Sequence, residues 1–125
     1  MTVSDTRAAV VKVLKARGAK ARRGHLRLQV GDLFWYVDPR VTGVGQRATL
    51  ALEVGCWLPD LPPEPDGGAV DCPLLMDHPV ADPVADTGTL LDLLGSIGTL
   101  AELRSRLDEL TGALVDKRLR ALLDA

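Results

Sequence analysis

Residues 25–38 read HLRLQVGDLFWYVD, and this stretch decides the fold. Leu26, Leu28 and Val30 alternate with His25, Arg27 and Gln29; Leu33, Trp35 and Val37 alternate with Phe34, Tyr36 and Asp38. A period of two marks a strand with one buried face. Gly31-Asp32 between the runs suits a two-residue hairpin turn. Pairing Val30 with Leu33 sets Leu28 opposite Trp35 and Leu26 opposite Val37, so all six apolar side chains share one face. A one-residue slip would send them all to the other face, so the register checks itself. The second face carries the cross-strand pairs Gln29–Phe34, Arg27–Tyr36 and His25–Asp38.

Upstream, Ala8, Val10, Val11 and Leu14 recur at helical spacing. Ser4 is a suitable N-cap, and Gly18 a suitable stop after Lys15 and Arg17, which predicts a helix over about residues 5–17. Downstream, Pro39 is expected to end the second strand because it cannot donate to a ladder. A third strand follows over residues 48–56, with Ala48, Leu50, Leu52, Val54 and Cys56 inward. Pro59, Pro62, Pro63, Pro65 and Gly67-Gly68 read as loop. A short fourth strand is expected near Val70–Leu75, and the doubled PVAD at 79–86 reads as loop. Thr89 with Asp92 opens a short helix through Leu94, broken by Gly95–Gly98. Thr99 and Glu102 form a capping-box pattern ahead of Leu100, Leu103, Leu107 and Leu110. Whether residues 100–124 form one helix or two, parted at Gly112, stays open.

The whole chain, residues 1–125, is one domain of ordinary size. Hydrophobic residues make up 46% and charged residues 26%, a globular balance that argues against disorder. Aromatics are only 3%, so Ala, Val and Leu must fill the core. No uncharged apolar run approaches the ~20 residues of a spanning helix. The polar N-terminus shows no secretory leader pattern, and the expected compartment is the cytoplasm, with no membrane partner. Cys56 and Cys72 fit that compartment as small hydrophobes, although the spacing leaves open whether they are bonded or free.

Charge is segregated beneath a net charge of −2. Thr6 to Gly31 holds eight basic residues and no acid, while Ala48 to Leu103 holds ten acids and no Lys or Arg. The segments either face each other, within the fold or across a dimer, or steer an acidic partner to the basic half.

No catalytic constellation stands out, so a hydrolytic or metal-dependent enzyme is the disfavoured third reading, and no catalytic residue or cofactor is expected. Cys56, Cys72, Asp77 and His78 match no usual zinc spacing, and no metal site is expected. The one candidate binding surface is the outward hairpin face: Arg27, Phe34 and Tyr36, with Arg22 and Arg23 of the basic turn close by. Cations beside aromatic rings on a sheet face can stack bases or dock a protein. Protein binding or self-association, through that face or the acidic 60–92 region, is favoured; single-stranded nucleic acid is the alternative, disfavoured by the acidic chain and by Asp38 and Glu53 on the same face.

The order of features resembles a bacterial family of unknown function, domain family 4304, over about residues 5–110. A leading helix and basic turn run through Leu14-Lys15-Ala16-Arg17-Gly18 and Arg22-Arg23-Gly24. The hairpin follows, then Leu52-Glu53-Val54-Gly55-Cys56-Trp57 before Pro59, then Asp71-Cys72-Pro73 and closing helices. The chain departs from that pattern at Ala19, where an aromatic would stand. The resemblance implies an α+β fold and brings no established activity, so no functional residue is transferred.

The expectation is an α+β fold. An antiparallel sheet of three or four strands carries the N-terminal and C-terminal helices on its Trp35 face. On that reading Trp35→Ala costs ~3–5 kcal/mol and Tyr36→Ala costs little. The expected function is a small cytoplasmic interaction protein of adaptor or immunity type.

Overall fold

A computed structural model describes residues 2–125. Six strands run as an antiparallel meander in the order β1-β2-β3-β4-β5-β6: Lys20–Arg22, His25–Val30, Leu33–Thr42, Thr49–Trp57, Leu74–Pro79 and Leu114–Val115. Four α-helices accompany them: α1 Val3–Ala16, α2 Pro83–Leu94, α3 Leu100–Arg106 and α4 Lys117–Asp124. The fold is α+β as expected, but the sheet has six strands and not three or four. The surplus strands are the edges, β1 with three residues and β6 with two, too short for any periodicity to register.

The hairpin forms in the expected register, with Val30 opposite Leu33, Leu28 opposite Trp35 and Arg27 opposite Tyr36. Its turn is locked from outside. Gly31 has φ +57, Asp32 N–H donates to Gly98 O at 2.7 Å, and a Cβ on Gly31 would collide with that carbonyl. Glycine is therefore required there for both conformation and space.

Pro39 does not end β3, which continues to Thr42. His25 stands two steps beyond the Arg27–Tyr36 pair and is the first residue of β2, so past Asp38 the strand pairs only with β4. A residue without an N–H is tolerated where one edge has no neighbour. β4 matches expectation from Leu50 onward, with Leu50, Leu52, Val54 and Cys56 buried, while Ala48 precedes the strand and is half-buried.

The expected strand at Val70–Leu75 is displaced to Leu74–Pro79, because Gly68–Asp71 winds into a 3-10 turn. The second PVAD copy is not loop. Asp82 Oδ1 accepts from the Val84 and Ala85 N–H groups, Pro83 takes the first helical position, and α2 runs to Leu94. Proline suits that position because its missing N–H would have had no helical partner. The cap of α1 is Thr2 in a reciprocal box with Asp5, not Ser4. Thr99 accepts from Glu102 N–H as expected, while the Glu102 carboxylate reaches back to Gly98 N–H rather than to Thr99. Residues 100–124 form two separate helices, with β6 between them.

The main core lies on the Trp35 face. Leu33, Trp35, Val37, Leu52, Val54 and Cys56 meet Val10 and Leu14 of α1, Leu90, Leu91 and Leu94 of α2, Leu103 of α3 and Leu119 of α4. Trp35 Nε1 donates to Ile97 O at 3.0 Å, which satisfies its polar atom in the interior. Among the described residues, no helix is long and apolar enough to cross a membrane.

Candidate functional site

The sequence singles out the outward hairpin face. Arg22, Arg27, Phe34 and Tyr36 do come together there, but not as an open platform. Tyr36 is fully buried and forms a second, smaller core with Trp57 and Ala69, flanked by Phe34, Cys72 and Leu75. The proline-rich segment between β4 and β5 folds back across this face. Trp57 Nε1 donates to Leu61 O at 2.8 Å, and the Phe34 and Trp57 rings lie 5.4 Å apart. The expectation of an exposed Tyr36 is thus corrected. Segregation of polar from apolar residues reads the inner face but not a loop that later covers the outer one.

The same segment neutralises the basic turn. Arg22 grips Glu64 with two hydrogen bonds, 3.0 and 2.8 Å, and Arg27 adds a third at 2.6 Å. Arg23 pairs with Asp66, and the Tyr36 hydroxyl lies 3.4 Å from Glu64. Arg27 also stands 4.5 Å above the Phe34 ring. The hydrogen bonds from Arg22, with the charges of Arg27 and Arg23, hold the Glu64 carboxyl down to about 2. Burial pushes the Tyr36 phenol above its ordinary value. Charge segregation in the sequence therefore resolves largely into contacts within one chain, and Glu64 and Asp66 are the residues that sequence reasoning missed.

Cys56 and Cys72 are free thiols on opposite faces of the sheet. Burial pushes both thiols up, and for Cys72 the nearby Asp38 and Asp71 charges add to it, so neither is an activated nucleophile. Among the described residues, no three His, Cys, Asp or Glu side chains gather as a metal ligand set.

An open cleft of about 610 Å³ lies elsewhere, where β2 begins and β3 runs on paired only with β4. α1 gives it Arg7, Val11 and Lys15; the strands give Leu26 and His25; the segment before β5 gives Val70. The His25–Asp38 pair expected across the hairpin forms at its wall, with Nδ1 2.9 Å from Asp38 Oδ1. Asp38 Oδ2 accepts from Ala69 N–H at 2.8 Å, which ties the 3-10 turn to the pair. Gly68, at φ +73, passes so close that a Cβ would collide with both His25 and Asp38. Only glycine permits this closure.

Comparisons of the chain with protein-family models, curated proteins and solved structures find no match. The fold and the site define a small α+β protein, an antiparallel meander with a cation-rimmed cleft at the open end of its hairpin. The volume falls in the range of ligand-binding clefts, ~300–1,000 Å³.

Proposed function

We propose that this chain is a small non-enzymatic interaction module of the cytoplasm, of adaptor or immunity type, and that it docks a partner protein at the His25 cleft. One observation carries the reading. Arg17, Arg22, Arg23 and Arg27 are in ion pairs, whereas Arg7, Lys12, Lys15 and Lys20 have none among the described residues, and of these four Arg7 and Lys15 line the cleft on either side of Val11. Unneutralised cations around an apolar floor of Val11, Leu26 and Val70 suit a partner that brings negative charge and apolar side chains. Val70 is 52% exposed, which leaves apolar surface for a partner to cover. The nucleic-acid alternative needs bare rings to stack on; Tyr36 is covered, and the half-buried Phe34 ring lies beneath Arg27 and beside Trp57. The resemblance to bacterial family 4304 belongs to the same reading; it rests on the order of helix, basic turn, hairpin and Cys72 strand.

The test is selection of binders to the immobilised full chain from a displayed random-peptide library, followed by NMR mapping on isotope-labelled protein. Binders that perturb Val11, Leu26 and Val70 are expected. A selection that enriches nothing, or binders that map to the Phe34–Trp57 side, would overturn the proposal.

A further inference from the structure

Arg7, Val11 and Lys15 follow one another at four-residue steps along α1, on one face, and all three line the cleft. At ~1.5 Å per residue the two cations stand about 12 Å apart with Val11 midway. An extended peptide rises ~3.3 Å per residue and repeats its face every second position, so its first and fifth side chains lie on one face about 13 Å apart. A stripe of cation, apolar residue and cation thus matches an extended segment of acid, apolar residue and acid. The acids of the cleft do not compete for the same cations. Glu53 is held by Arg40 at 3.2 Å, and both Asp38 oxygens are engaged by His25 and Ala69.

The sheet supplies a place for such a segment. β3 from Pro39 to Thr42 has no neighbour on the β2 side, and Pro39 and Arg40 border the cleft. His25 adds a polar contact. Its Nδ1 is held by Asp38, and Nε2 makes no hydrogen bond among the described residues. In the neutral ring this leaves Nε2 an acceptor for a peptide N–H.

We infer that the cleft takes an extended acidic segment of a partner protein, of pattern Asp/Glu-x-apolar-x-Asp/Glu, its carboxylates on Arg7 and Lys15 and its apolar side chain on Val11. This rests on the interaction-module reading. The probe is the fluorescently labelled peptide Gly-Ser-Glu-Thr-Val-Thr-Glu-Ser-Gly, titrated with the full chain and read by anisotropy. The double variant Arg7→Glu with Lys15→Glu binds about tenfold or more weakly, as expected when two opposite charges become repulsive. Lys12→Glu, on the same helix but outside the cleft, stays within about twofold. A probe with Lys in place of both Glu does not bind, and one with the two Glu three positions apart binds about threefold more weakly. Far-UV circular dichroism checks that these exposed substitutions leave the helix folded. Equal binding by wild type and the double variant overturns the inference, as does equal binding of acidic and basic probes or no binding of the acidic probe. Library binders that map to the cleft but lack paired acids also overturn it while the module reading stands; a library that yields no cleft binder overturns that reading itself.

Discussion

Trp35 and Tyr36 are consecutive residues on opposite faces of β3, and each is fully buried. Trp35 fills the helix-covered core and gives its indole N–H to Ile97 O. Tyr36 fills the smaller core beneath the proline-rich segment. Truncating either ring removes a large apolar surface and leaves a cavity, so Trp35→Ala and Tyr36→Ala should each cost ~3–5 kcal/mol. This replaces the small cost expected for a solvent-facing Tyr36. Tyr36→Phe should cost under ~1 kcal/mol, because the hydroxyl lies at the long distance of 3.4 Å from Glu64. Urea unfolding of the three variants checks this; a Tyr36→Ala midpoint near that of wild type would mean that the ring is not packed.

At the scale of elements, the segment between β4 and β5 is the strap that internalises the second face. Glu64 is its main fastening, bound by Arg22 and Arg27. Its folded carboxyl titrates near 2, below the ordinary ~4.3 expected in the unfolded chain. A depressed value means that this contribution is fully present above the ordinary glutamate range and is lost as pH falls toward 2. Wild type should therefore lose stability on acidification through that window more steeply than Glu64→Gln, and the variant should be the less stable at neutral pH. Urea midpoints measured between about pH 6 and pH 2.5 test this. Parallel curves for the two proteins would remove Glu64 from its fastening role. Asp5, Asp86 and Glu109 are held low as well, by backbone or arginine hydrogen bonds, and titrate in both proteins, so the difference is the readout. The hairpin and β4 were legible because their alternation runs long enough to fix a face and a register. β1 and β6 were not, being three and two residues long. The start of α2 carried a readable signal in Asp82-Pro83, a cap followed by the proline that suits the first turn, but the PVAD repeat masked it. The strap could not be read locally at all. Arg22 and Glu64 are 42 residues apart, and Asp38 and Ala69 are 31 apart, so no window of sequence holds both partners.

For the whole molecule, the basic first third and the acidic middle are largely complementary halves of one fold, joined at Arg17–Asp92, Arg22–Glu64 and Arg23–Asp66. That closure buries Tyr36 on the outward hairpin face, while the cleft beside α1 keeps Arg7 and Lys15 without ion-pair partners among the described residues, which is where the proposed docking falls. The covered second face thus depends on Tyr36 lying inside. The chain has a single tyrosine, so one phenolate signal reports on it without ambiguity. An ultraviolet absorbance titration of the native protein should show Tyr36 ionising above the ordinary phenol value of ~10, because burial disfavours the phenolate. A reversible titration at that ordinary value, with the circular dichroism of the folded chain unchanged, would place the ring in water and contradict the account.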